Sequence, residues 1–371
     1  MSTMIRDILN GEDFKLGLFS PNCSGGLAVT KIPDRWSASW EDNLALAQAA
    51  EAAGIDFLLP IARFIGYKGD TNFHGSVLDP IVWAAGLIAS TKRINVFSTI
   101  HTAFNNPMVI AKQMATLDQL GGGGRAGLNV VAGWNLPEYE ALGAPMPEAH
   151  DDRYGFAAEW LEVIEEAWSA EAKFQHDGKF YQLKDAESEP KPKGGRVPIL
   201  NAGSSTQGRD FAAHYSDFAF TIIPDVETGA GIVQAMRDEA RANYQREVGV
   251  LTLGHVVCRD SRAEAEDYLA YYADEYADWG AVDYLMGLQG MHAQSFTPEM
   301  LQTMRSRFAS GHGSLPIVGT PEEVAEQIRA VSEAGFDGMT LAFVNYTREV
   351  TEFGRSVMPI LEKMGVRSPR A

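Results

Sequence analysis

Short apolar runs alternate along the chain with longer stretches in which apolar residues recur every three or four positions. A run buried on both faces reads as a parallel strand, and a three-to-four period reads as a helix with one face inward. The first such pair is KLGLFS at 15–20, followed by SWEDNLALAQAAEAAG. There Ser39 is placed to cap the helix, Leu46, Ala49, Ala50 and Ala53 share one face, and Gly54 ends it. The strand-like runs continue at 56–60, 94–100, 127–133, 198–203, 217–223, 249–258 and 338–344, each followed by a helical stretch. PMVIAKQMATLDQL starts on Pro107 and ends at the glycines 121–124, while GTPEEVAEQIRAVSEAG pairs Thr320 with Glu323 as a capping box. Between 170 and 197 the turn His176-Asp177-Gly178, flanked by Phe174 and Phe180-Tyr181, predicts a small hairpin. About eight strand-helix units predict an α/β fold, either a closed parallel (β/α)8 TIM barrel or a doubly wound sheet. The absence of an early GxGxxG weighs against the dinucleotide-binding sheet. Residues 280–316, rich in Gly, Met, Gln and Ser, break the rhythm and are expected to form an insertion at the carboxyl-end face of one domain spanning 1–371.

The stretch 125–154, RAGLNVVAGWNLPEYEALGAPMPEAHDDRY, breaks two local rules. Asn129 sits in an apolar strand, where an unpartnered amide costs about 1 to 3 kcal/mol. Arg153 falls in the first turn of a helix marked by Asp151 and Asp152, where the partial positive charge disfavours a cation by about 0.3 to 1 kcal/mol. A phosphate would relieve both the arginine and the free amides of the helix end, so the stretch is expected to bind an anionic cofactor. A second phosphate candidate is AGSSTQG at 202–208, with Ser204 and Ser205 as hydroxyl donors at a helix start. Plainer readings stand beside these. Asn129 can be satisfied by neighbouring backbone, Arg153 can pair with Asp152 or Glu138, and Ser205 can be an ordinary cap. Trp134 and Trp168 are expected to fill the core or an interface.

Composition narrows the function classes. A formal net charge of -18 disfavours nucleic-acid binding and an anionic membrane surface. Two cysteines, Cys23 and Cys258, form neither a disulfide framework nor a metal cluster, which suggests a reducing cytoplasm; no metal site is expected. The start has no signal-peptide pattern, and no apolar run is long enough to span a membrane. In a barrel the carboxyl ends of the strands would present Ser20, Asn22, Arg63, Thr99, His101, Asn129, Ser204, Ser205 and Asn345. Neither paired carboxylates nor a nucleophile elbow accompany them.

The segments ATLDQLGGGGRAGLNVVAGWNLPEYEALG, HDDRY, LNAGSS and VGTPEEVAEQI carry a resemblance to the luciferase-like flavin-dependent monooxygenases, in particular the branch of the pyrimidine and dimethyl sulfone monooxygenases. The resemblance runs from KLGLFSPN to EFGRSVMPIL. It implies a (β/α)8 barrel that binds FMN at the carboxyl ends of its strands. The matching cofactor positions are Ala62, Arg63, Asn129, Glu138, Arg153, Tyr154 and Ser205, with Ser204 in the same motif. Thr99 and Asn129 match the residues that hold dioxygen beside reduced FMN, and His101 and His292 are candidate substrate contacts. The implied reaction is two-component: a separate NAD(P)H-dependent flavin reductase supplies reduced FMN, and one oxygen atom enters a small substrate such as an N-heterocycle, ring amide or sulfone. A dimer or tetramer is implied as well. Competing readings are deazaflavin-dependent hydride transfer and a noncatalytic flavin-binding barrel.

Overall fold

A computed structural model of the chain describes residues 13–144, 150–203, 205–291 and 297–369. Its strands are β1 (Lys15–Phe19), β2 (Phe57–Leu59), β3 (Asn95–His101), β4 (Ala126–Val131), β5 (Phe174–Asp177), β6 (Gln182–Ala186), β7 (Ile199–Asn201), β8 (Phe218–Phe220), β9 (Gly249–Cys258), β10 (Leu315–Gly319) and β11 (Gly338–Ala342). The sheet runs β10-β9-β11-β1-β2-β3-β4-β7-β8, and β9 also pairs with β8. The ring of eight parallel strands therefore closes, with helices between them: a (β/α)8 barrel. β5 and β6 form the expected hairpin, apart from the ring.

Two cross-strand pairs show how the ring packs. Gly17 is paired in register with Phe57, and Gly127 with Phe97. A Cβ on Gly17 would lie 2.4 Å from the Phe57 ring, and one on Gly127 would lie 2.5 Å from the Phe97 ring. Each glycine thus cedes its side-chain volume to the ring of the next strand. Helix ends follow the sequence: Ser39 accepts from Asp42 N, Gly54 closes that helix at φ 83°, Asn106 and Asp79 cap helices that begin on prolines, and Thr320 with Glu323 completes its capping box.

The chain divides into two compact units, one containing Asp79–Thr221 and Gln234–Val250, the other Asp13–Leu78, Ile222–Val233 and Leu251–Ala371. In the second unit the described residues of the rhythm-breaking segment include regular elements. Trp279–Leu288 and Pro298–Gly311 are helices, and β10, which the sequence pattern does not reveal, pairs parallel to β9. Tyr67, Phe73, Tyr272, Leu285 and Phe308 meet in one apolar cluster, so these helices share a core with the loop after β2. Asp278 fastens that loop by accepting from Asp70 N (3.1 Å), Thr71 N (2.7 Å) and Thr71 Oγ1 (2.7 Å). Among the described residues no helix is long and apolar enough to cross a membrane.

Candidate cofactor site

In the first unit, β3 and β4 set Thr99 directly beside Asn129. Both are only 4% exposed, and Asn129 Nδ2 donates to Thr99 Oγ1 at 3.0 Å. Asn129 Oδ1 is buried with no hydrogen-bond partner, an arrangement that costs about 1 to 3 kcal/mol unless a ligand donor meets it. The plainer reading, an asparagine satisfied by its own surroundings, accounts for only half of the amide.

Past β4 the chain turns at Gly133, whose φ is 100°. Tyr139 Oη donates to Ala132 O at 3.2 Å, and a Cβ on Gly133 would come within 2.0 Å of the Tyr139 hydroxyl oxygen, so only glycine fits. Arg153, near the start of the helix His150–Ser169, donates Nη1 to Gly133 O at 3.1 Å, while its Nε is buried without a partner. The arginine thus turns back over the β4 loop. Glu138 is 1% exposed in the short helix Leu136–Ala141, which the sequence pattern does not indicate.

Tyr154 follows. Burial raises its phenol above the ordinary tyrosine range, opposed by a hydrogen bond with Ser205 and by the charge of Arg153. Ser205 caps the helix Thr206–Tyr215 by accepting from Gly208 N at 3.1 Å. A Cβ on Gly203 would lie 2.5 Å from Tyr154 Oη, and one on Gly208 2.6 Å, so two glycines keep the helix start clear beneath the phenol. Asn201 orders this loop: its Nδ2 donates to Val130 O at 2.8 Å and its Oδ1 accepts from Gly203 N at 2.9 Å. Sequence reasoning passed over Asn201, although an amide in the apolar run ILN is the same signal that marked Asn129. Ser204 and His292 lie outside the described residues, and so do the side chains of Asp151 and Asp152.

His101 ends β3, buried, stacked on Phe104 at 5.5 Å, with Phe104 edge-on to Tyr139 at 4.7 Å. Trp168 is buried and donates to Ala111 O at 2.9 Å, as expected of a core tryptophan. Trp134 lies outside the core, 36% exposed on the loop after β4.

In the second unit, Ala62 is buried and the Arg63 guanidinium lies 4.9 Å over the Tyr67 ring. Asn22 spans the β2 loop, donating to Ile61 O (2.7 Å) and Leu78 O (2.9 Å) and accepting from Ile61 N (2.9 Å). Ser20 adopts φ 61° and donates to Gly26 O at 3.3 Å. Asn345 caps the last long helix, and Glu349 Oε2 accepts from both Val344 N (2.9 Å) and Asn345 N (3.1 Å). A carboxylate therefore occupies the amides that a phosphate would need there, whereas at Ser205 only a neutral hydroxyl stands at the helix start.

The sequence model of the luciferase-like monooxygenase family matches residues 14–338. An FMNH(2)-dependent dimethylsulfone monooxygenase of Pseudomonas fluorescens (strain Pf0-1) is 34% identical over 370 residues, 98% of each chain. The pyrimidine monooxygenase RutA of Acinetobacter baylyi is 29% identical over 353 residues, 94% of each chain. Among solved structures, DmoA from Hyphomicrobium sulfonivorans shares the fold with a TM-score of 0.86 at 23% identity, over 95% of this chain and 89% of that one. With a match that spans most of its length and a relative aligned nearly end to end, this chain belongs to the luciferase-like monooxygenase family.

Proposed function

We propose that the chain is an FMN-dependent monooxygenase that receives reduced FMN from a separate flavin reductase and inserts one oxygen atom of dioxygen into a small organic substrate. The observation that carries this reading is the pairing of two unsatisfied groups in one unit, Asn129 Oδ1 and Arg153 Nε, with the cleared helix start at Ser205. These donors and acceptors fit a ligand with an anionic tail and a polar ring. Arg153, Tyr154 and Ser205 would hold the phosphate, with the Ser204 hydroxyl beside them by sequence. The dipole of the helix Thr206–Tyr215 adds a favourable end for negative charge. Bound reduced FMN supplies the electrons that dioxygen requires.

The protein's part is to orient and shield. Thr99 and Asn129, locked to each other, present a hydroxyl and an amide at a fixed spacing to dioxygen. Their burial keeps bulk water from the site. Glu138, buried beside the β4 loop, and His101, backed by Phe104, are proposed as further cofactor and substrate contacts. Ala62 and Arg63 are proposed as cofactor contacts by the family resemblance.

The test is to bind FMN to the purified chain, reduce it anaerobically, admit oxygen-18, and look for a labelled product from a panel of ring amides and sulfones by mass spectrometry. Labelled product supports the reading. Oxygen-independent hydride transfer to a deazaflavin, with no oxygen uptake in the presence of reduced FMN, would replace it.

A further inference from the structure

A cavity of about 250 Å³ lies in the second unit between the loop after β1 and the loop after β2. None of its lining residues belongs to the cofactor or substrate contacts proposed above. Its walls are held from behind. Thr30 Oγ1 donates to Tyr276 O at 3.1 Å and Thr71 Oγ1 donates to Asp278 at 2.7 Å, which pins both threonines to the segment just before the helix Trp279–Leu288. Trp36 is 3% exposed, its backbone N–H on Val344 O at 3.1 Å and its indole N–H on Pro21 O at 2.6 Å. Ser37 gives its hydroxyl hydrogen to Asp42. Two lining side chains keep donors unspent. Ser24 Oγ accepts from Ser76 N at 3.2 Å, and its O–H donates to nothing among the described residues. Half-buried Arg35 places one N–H of Nη1 on Ile32 O at 3.1 Å and forms no ion pair among the described residues. By contrast, Lys31 on the same loop pairs with Asp70 at 3.4 Å, and the preceding Asp34 is taken by Arg348 at 3.2 Å. A guanidinium has five N–H donors, so the Nε and Nη2 edge of Arg35 stays open, the fork that takes a carboxylate through two parallel bonds.

We propose that this cavity is a second ligand site, which takes a small organic acid about one ring in size. The carboxylate sits on Arg35 and Ser24, and the apolar body lies against Pro33, Trp36 and Phe73. Charge selects the head group: in a chain of net charge -18, an arginine without a carboxylate partner is the exception, and a neutral ligand leaves it without a counter-charge. Volume selects the body. A cavity of about 150 Å³ already holds benzene, so a ring bearing a carboxyl group fits here, whereas a bare inorganic anion leaves the aromatic wall uncovered. Because the wall residues are tied in place before any ligand arrives, binding has little ordering to do. The site goes beyond the oxygenase reading and needs none of its residues.

The test is calorimetric titration of the full chain with benzoate, with benzamide, which keeps the shape without the charge, and with acetate, which keeps the charge without the ring. Benzoate is expected to bind at least about tenfold more tightly than either, one decade in Kd. Arg35→Met should bring benzoate down to the affinity of benzamide while the melting midpoint, followed by circular dichroism, stays in place. Ser24→Ala should weaken benzoate about three- to tenfold, the size of one hydrogen bond, and decides the matter if Arg35→Met melts early. Arg153→Met locates the anion: benzoate affinity retained in that variant supports the cavity. Loss there, with affinity kept in Arg35→Met and Ser24→Ala, would assign benzoate to the phosphate position of the cofactor and overturn the proposal. Undetectable benzoate binding, or benzoate bound no better than benzamide or acetate, would overturn it as well, leaving Arg35 a merely solvated cation. Benzoate bound as expected by a chain that fails the oxygen-18 assay would remove the oxygenase reading and leave this site.

Discussion

Asn129 and Thr99, partners in register on adjacent strands, are joined by a 3.0 Å hydrogen bond that spends the amide's donor and leaves its oxygen bare. The bond fixes the rotamer of both side chains, so the bare oxygen has a defined direction. Asn129→Ala is expected to reduce oxygenated product by about a hundredfold or more, the order seen when a placed polar group is removed from a reacting centre. The thermal midpoint should change little, because the lost hydrogen bond of about 1 kcal/mol is offset by removal of an unmet acceptor. Product yield by mass spectrometry, with melting followed by circular dichroism, checks both parts; full turnover by the variant would take Asn129 out of the mechanism.

Arg153→Met keeps the aliphatic stem but removes the guanidinium. Charge-assisted hydrogen bonds of about 1.5 to 3 kcal/mol would be lost, so the FMN dissociation constant should rise roughly 10- to 100-fold. Riboflavin, which has no phosphate, should bind the parent and the variant alike. Quenching of flavin fluorescence measures both, and equal losses for the two flavins would separate Arg153 from the phosphate.

Gly203→Ala and Gly208→Ala each place a methyl group within 2.6 Å of Tyr154 Oη. The phenol has to move, loosening its bond with Ser205. Weaker FMN binding is expected together with a stability loss of about 1 to 3 kcal/mol from overpacking. Urea titration and flavin binding read the two effects separately. An unchanged affinity would show that Tyr154 does not contact the cofactor.

Acid should destabilise the fold before most carboxylates titrate. Burial holds His74 well below the ordinary histidine range, pushes His255 down to about 3 and His312 down to about 4. Their folded values lie below the unfolded ones, so the unfolded chain takes up protons that the folded chain refuses. Stability is therefore complete above about pH 6.5 and falls as pH drops below it, at most about 1.4 kcal/mol per pH unit for each group. Urea midpoints at pH 7.5, 6.0 and 5.0 should decline in that order, and His255→Gln should make the decline shallower. A flat profile would mean that these rings protonate in place.

Much of this arrangement can be read from the chain. The strands are buried on both faces, so they appear as apolar runs, and Ser39, Pro107 and Thr320 mark helix starts through chemistry confined to a few neighbouring residues. Asn129 and Arg153 were visible because each violated its local setting. What escaped depends on distant partners. β10 is a five-residue strand that follows a Gly- and Ser-rich stretch, contains Pro316, and acquires its identity by pairing with β9. Asn201 looks unremarkable until Val130 and Gly203 are seen around it. His74 and His312, 238 positions apart in the numbering, share Tyr67 only after the loop beyond β2 has packed against the later helices. Trp134 shows that bulk alone does not place a tryptophan inside.

The Glu349 carboxylate seated on the Val344 and Asn345 amides has a role beyond capping. Its other oxygen accepts from Arg259 Nη2 at 3.0 Å, so one side chain ties the residue after β9 to the loop after β11. Replacing Glu349 with glutamine would leave that guanidinium facing a neutral amide and loosen a seam between two strands that pair in space without being consecutive along the chain.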